Sequence, residues 1–165
     1  MHRAATGASG RLHARSRSRH PLTTLDTIRA DFALLDDWED RYRYVIELGR
    51  GLSPLPDALR TDANKVRGCA SQVWLATRWP QREDGVASLA MQGDSDAHIV
   101  RGLIAILRAI YDGRTAREIL DTDARAIFAD LGLSDHLTAQ RSNGLNSMVE
   151  RIRADAGGAL AAQGA

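Results

Sequence analysis

Cys69 is the only cysteine among the 165 residues, and Gly68 stands immediately before it. A glycine accepts positive φ, so the backbone turns sharply there and delivers the next side chain to a loop tip. A thiol presented in this way is a candidate nucleophile. The alternative is a free cysteine packed as a small hydrophobe, which is the commoner use of the residue. Lys65 and Arg67 lie just upstream, and positive charge beside a thiol favours the thiolate, so a modestly lowered pKa is expected.

Three chemistries would use this cysteine differently. A cysteine hydrolase needs a histidine within hydrogen-bond reach, usually oriented by Asn or Asp. His98 and His136 are the candidates outside the first 24 residues, and no spacing brings either to Cys69. A thioredoxin-like redox site needs a second cysteine two residues away, and the chain has none. Single-sulfur chemistry asks for less: a thiolate attacks a sulfur bonded to another sulfur, holds it as a persulfide, and is attacked in turn by the next acceptor. That use requires exposure and a protein partner. No metal site is expected, because His2, His13, His20, His98 and His136 fall at no zinc-ligand spacing.

Composition bounds the setting. With 44% hydrophobic and 26% charged residues, the chain reads as one soluble domain. A single cysteine makes no internal disulfide, which suits a reducing cytoplasm. No apolar run approaches the roughly 18 residues of a membrane helix, so no membrane partner is expected. The net charge of +1 hides an asymmetry: residues 1–24 carry Arg3, Arg11, Arg15, Arg17 and Arg19 with no acid, leaving 17 basic against 21 acidic side chains in residues 25–165. The leader, 1–24, lacks periodic apolar residues and reads as disordered. It is a solvated extension, an organelle transit peptide or a nucleic-acid tether, the last making the protein an adaptor.

The elements that must position Cys69 follow in order. Thr23 with Asp26 resembles a capping box, opening a helix with Leu25, Ile28, Phe32 and Leu35 at helical spacing. Trp38, Tyr42, Val45 and Ile46 form the core stripe of a second helix, stopped by Gly49 and Gly51. Pro54 and Pro56 punctuate an irregular connection over 52–63. The period then changes to two over 72–79, a strand, and Glu83-Asp84-Gly85 supplies a hairpin turn before Ala87, Leu89 and Met91 on the returning strand. Residues 60–66 show no clear alternation for a third strand. Gly93-Asp94-Ser95-Asp96 reads as a helix start with its acids as caps. The helix after it, rich in Ile and Leu from Ile99 to Ile110, should be central and buried, with Gly102 justified by a close contact, plausibly against the sheet. Thr115 with Glu118, then Asp123, then Thr138 open three more helices. The last carries Leu145, Met148, Val149 and Ile152, with Gly157-Gly158 releasing a frayed tail over 157–165.

The stretch Gly68-Cys69-Ala70-Ser71-Gln72-Val73-Trp74 closely resembles the cysteine loop of the SufE family of sulfur-acceptor proteins. Further stretches agree in order: Asp37-Trp38-Glu39-Asp40-Arg41-Tyr42 with Ile46-Glu47-Leu48-Gly49, Gly93-Asp94-Ser95-Asp96-Ala97 with Ile99-Val100-Arg101-Gly102-Leu103, and His136-Leu137-Thr138 with Arg141-Ser142-Asn143-Gly144-Leu145. The resemblance covers about residues 25–155 and implies an α+β, SufE/IscU-like fold: N-terminal helices, a small antiparallel sheet, and C-terminal helices packed on it, in a domain over 25–156. It further implies that Cys69 takes sulfane sulfur from a SufS-like cysteine desulfurase, stimulates that enzyme, and delivers the sulfur to an iron–sulfur scaffold of the SufB type. A CsdE-like relay to another pathway is the near alternative. No pyridoxal phosphate or other cofactor would be bound. Arg141 would engage the desulfurase near the cysteine loop, Asp96 would border the partner surface, and Gly68, Ser71 and Gln72 would support the loop, the last two by side-chain hydrogen bonds. A hydrolase or a nucleic-acid adaptor remains as a distant alternative.

Overall fold

The structure, a computed structural model, describes residues 23–164. Apart from Thr23 and Thr24, the expected leader lies outside the described residues.

Helix α1 (Leu25–Leu34) is capped by Thr24, not Thr23: its Oγ1 accepts the Thr27 N–H at 3.2 Å and meets the Thr27 hydroxyl at 2.9 Å. The reciprocal partner three residues on is thus Thr27, and Asp26 falls inside the first turn. Asp37 caps α2 (Trp38–Arg50), accepting the Glu39 and Asp40 N–H groups. Of the expected core stripe only Val45 is fully buried; Trp38 and Ile46 are half-buried and Tyr42 is at the surface.

Gly51 ends α2 as expected, but Gly49 is helical and has a different purpose. A Cβ on Gly49 would stand 2.6 Å from the Gly102 nitrogen, and one on Gly102 would overlap the Val45 carbonyl oxygen. The two glycines let α2 cross backbone to backbone over α3 (His98–Tyr111), so the contact that Gly102 serves is with a helix and not with the sheet. Gly102→Ala should therefore destabilise the fold by about 1–3 kcal/mol, despite alanine's better helix propensity, because the added methyl meets main chain that cannot turn aside. A lowered urea midpoint at unchanged slope would show it; an unchanged midpoint would contradict the close crossing.

Strands β1 (Val73–Arg78) and β2 (Ala90–Ser95) pair antiparallel, from Val73 opposite Ser95 to Arg78 opposite Ala90. The turn lies where Asp84-Gly85 predicts it, with Gly85 at φ +80°. β2 begins only at Ala90 because Ser88 and Leu89 pair elsewhere: the Leu89 N–H reaches the Arg114 carbonyl at 2.8 Å. On the other edge of β1, Val66 N–H donates to Val73 O and Leu75 N–H to Asn64 O, both at 2.8 Å. These bonds flank an isolated bridge of Lys65 with Trp74, so this edge gains a single paired residue and the sheet has two strands among the described residues.

β2 also runs through Gly93-Asp94-Ser95, which sequence spacing assigns to a helix start. Ala97 precedes α3 without a side-chain cap. Asp94 is instead a buried anchor: its carboxylate accepts from Arg60 Nη2 at 2.6 Å, pairs with Arg101 Nε at 3.2 Å, and receives the Leu55 and Ser95 N–H groups. Arg60 in turn lies 5.0 Å over the Trp74 ring. One carboxylate ties the proline-punctuated connection, the sheet and α3 together.

α3 buries Ile99, Leu103, Ile104, Ile106, Leu107 and Ile110, each contributing about 1.5–3 kcal/mol relative to exposure. It packs against α1, α2, β2 and α6. Thr115 caps α4 (Ala116–Asp121), Asp123 caps α5 (Ala124–Asp130) and Thr138 caps α6 (Ala139–Gln163). α6 does not fray at Gly157-Gly158. Each of those glycines costs about 1 kcal/mol relative to alanine, but Ala159 and Leu160 beyond them pack on the core and carry the helix to Gln163. No helix among the described residues is long and apolar enough to cross a membrane.

Candidate functional site

Residues 67–72 form a loop closed at its base by the Val66–Val73 hydrogen bond. A second tie joins its C-terminal end to the start of α3: the Gln72 N–H donates to Asp96 Oδ1 at 3.0 Å, and the Asp96 N–H to Gln72 O at 3.4 Å. Between these ties Gly68 takes φ +88°, and a Cβ on it would also stand 2.6 Å from Ser147 Oγ. The left-handed turn demands glycine here, and a Cβ would in addition oblige the Ser147 hydroxyl on α6 to move.

The turn carries Cys69 inward, not outward. Its Sγ lies 3.6 Å from the Gly144 carbonyl oxygen on α6, to which the thiol donates. α6 is held in register with the loop by Arg151, whose Nη2 reaches Ala63 O at 2.7 Å, and by Asp155, which accepts from Arg151 and from Thr77 of β1 at 2.9 Å. Cys69 is half-buried and borders a cavity of about 270 Å³ floored by Val100, Leu103, Leu145 and Met148.

This setting reverses the expected electrostatics. Burial pushes the Cys69 thiol above its ordinary pKa, where Lys65 and Arg67 had suggested a lower one. Arg67 is exposed and Lys65 lies opposite Trp74, so both are on the loop's outer side while the sulfur faces apolar side chains. The Gly144 carbonyl works in the same direction, since a bond accepted from S–H exists only in the neutral form.

Cys69, Ser71 and Arg141 line one cavity, with Ala70, Thr138 and Gln140 beside them. Arg141 is in the first turn of α6, and among the described residues its guanidinium has no hydrogen bond or ion pair. Gln72 is tied through its backbone, and neither its side chain nor the Ser71 hydroxyl makes a hydrogen bond among the described residues. Asp96 is exposed outside the cavity and acts through Gln72. His98 is exposed at the start of α3, and His136 stacks on Trp38 with ring centroids 3.5 Å apart. Neither lines the cavity, so a hydrolase would lack its base there. Gly144 escaped sequence reading; the available signal was a glycine inside an apolar helical stripe, where alanine would be more stable.

Residues 26–156 match the family model for SufE, described as an Fe-S metabolism associated domain. The chain belongs to the SufE family. It is 56% identical over 142 residues to an uncharacterised SufE-like protein of Rhizobium meliloti, covering 86% of this chain and all of the relative. A second SufE-like relative, from Rhizobium etli, is 56% identical over 135 residues, covering 82% of this chain and 90% of its own. The solution structure of a hypothetical protein from Thermus thermophilus superposes with a TM-score of 0.64 over 83% of this chain and 96% of that one, at 20% identity, and shows the α+β fold alone. Membership in the SufE family gives the chain a sulfur-acceptor role in iron–sulfur metabolism and a cysteine desulfurase as the partner class. Within this SufE domain, the cavity beside Cys69 joins the loop to the last helix.

Proposed function

We propose that Cys69 is the sulfur-accepting residue and that it works as a persulfide carrier. The observation that carries this reading is the placement of the only cysteine on a tied, glycine-turned loop, lining one cavity with an Arg141 that has no partner among the described residues, in a chain of the SufE family. The Cys69 sulfur, once deprotonated, attacks the outer sulfur of the desulfurase persulfide. A new S–S bond forms, the donor's S–S bond breaks, and the desulfurase cysteine leaves as a thiolate that takes up a proton. Cys69 then bears the persulfide until an acceptor thiol attacks its outer sulfur. The donor is a SufS-like desulfurase and the acceptor a SufB-like scaffold, with a CsdE-like relay as the other branch. The domain over 25–156 acts in the cytoplasm, without pyridoxal phosphate or another cofactor of its own.

In this reading Arg141 engages the desulfurase, Asp96 borders the docking surface, and Gly68, Ser71 and Gln72 set the loop. Because the thiol is tucked against α6 at rest, docking must draw it out, a rearrangement typical of regulated interfaces. Intact-protein mass spectrometry after incubation with a cysteine desulfurase, pyridoxal phosphate and cysteine tests the proposal. A reductant-labile gain of one sulfur, about 32 Da, mapping to the Cys69 peptide is expected. No gain with several SufS-like desulfurases would overturn it.

A further inference from the structure

Gly144 is a buried glycine in the middle of an otherwise apolar helical stripe, opposite the sulfur. A Cβ built there would stand 3.4 Å from Cys69 Sγ and 3.8 Å from its Cα and Cβ, and the Gly144 carbonyl is the only hydrogen-bond partner of the thiol among the described residues. The other glycines of the same helix interior, Gly157 and Gly158, face nothing within 4 Å. The surface that the sulfur meets on α6 is therefore the bare Cα and carbonyl of Gly144, with room for a methyl in ordinary contact and little beyond it in that direction.

We propose that Gly144 is a positioning residue for Cys69: its bare Cα surface receives the thiol and its carbonyl oxygen holds it closed against α6. The inference concerns the control of the site on which the proposed sulfur transfer rests. Arg141 lies one turn earlier on the same helix and lines the same cavity, so a partner that engages Arg141 acts directly on the surface that holds the thiol. A methyl at 144 reaches ordinary contact distance and leaves the closed loop in place, whereas valine adds branches beyond that contact and presses the loop outward. The charged groups on the elements around the thiol are Arg141 on α6, Lys65 and Arg67 before the loop, and Asp96 with His98 at the head of α3. None of them changes in the variants, so any change in titration reports the altered burial of the sulfur and its bond to the Gly144 carbonyl.

The test is alkylation of the full chain by iodoacetamide as a function of pH, for wild type, Gly144→Ala, Gly144→Val and the control Gly157→Ala, with circular dichroism to confirm folding. It needs no desulfurase, so its failure is distinct from failure of the sulfur-transfer reading. Expected at pH 7.5 is a rate for alanine close to that of wild type and a rise of about tenfold for valine, corresponding to about 1.4 kcal/mol. The midpoint of the pH–rate profile should fall for valine, while Gly157→Ala matches wild type. Should Gly144→Val fail to fold, Gly144→Thr, which has the same branched shape, takes its place. A rate no higher and a midpoint no lower in the branched variant than in Gly157→Ala would overturn the proposal and leave Gly144 as helix packing only.

Discussion

Cys69→Ser is expected to abolish both sulfur uptake and stimulation of the desulfurase, while the urea midpoint moves by no more than the equivalent of about 1 kcal/mol. The two halves of this result have separate causes. A hydroxyl is not ionised near neutral pH and cannot form the sulfur–sulfur bond on which the proposed transfer depends, so no persulfide forms and the desulfurase cysteine is not relieved of its own. The fold, in contrast, asks little of the sulfur: Cys69 is only half-buried, and serine can donate to the Gly144 carbonyl from the same direction. The cavity wall and Arg141 are untouched, so docking should persist. Steady-state desulfurase assays with increasing amounts of wild-type and variant protein, alongside pull-down of the complex, separate loss of chemistry from loss of binding. Undiminished stimulation by the serine variant would sink the assignment of Cys69.

The largest effect on stability is expected at Asp94. Asp94→Ala should cost about 3 kcal/mol, near the low end of what breaking a buried ion pair by removing one partner costs. The low end applies because Arg60 is about a third exposed and can turn to solvent, whereas the Arg101 Nε is buried and would keep an uncompensated charge. The Leu55 N–H loses its acceptor as well. For a chain of this size the change corresponds to a fall in Tm of roughly 10 °C. Asp96→Ala, two residues away, should cost less than about 1 kcal/mol, since that carboxylate is exposed and accepts a single backbone N–H. Equal thermal shifts for the two variants would contradict the assignment of Asp94 as the buried anchor.

The contrast between these acids marks where sequence reading stops. Thr115, Asp123 and Thr138 were legible as caps because capping is decided within three residues, and α3 was legible because its apolar positions leave no polar face wide enough for solvent. Asp94 was misread as a cap because its partners stand 34 residues before it and 7 after it, and local pattern sees neither. The glycines show the same limit. Gly85 serves its turn through its own backbone freedom, with open space around it, but Gly49 and Gly102 answer to what lies across a contact. At the site, the glycine-turned loop and its cysteine were visible, yet the direction in which the turn aims the thiol was not. That direction depends on α6, more than 70 residues downstream, and it moved the expected pKa from below the ordinary thiol value to above it.

The loop closed by Val66 and Val73 also sets a reach. Cys69 is three residues from Val66, so even a fully extended path holds its Cα within about 10 Å of that anchor. An arm this short cannot span two bound proteins. In the proposed transfer, donor and acceptor must each lower their own sulfur to the same end of the sheet, one after the other, and the carrier must leave the first before it can serve the second. Throughput would then be governed by how quickly each complex separates, which favours weak, rapidly exchanging contacts over tight ones.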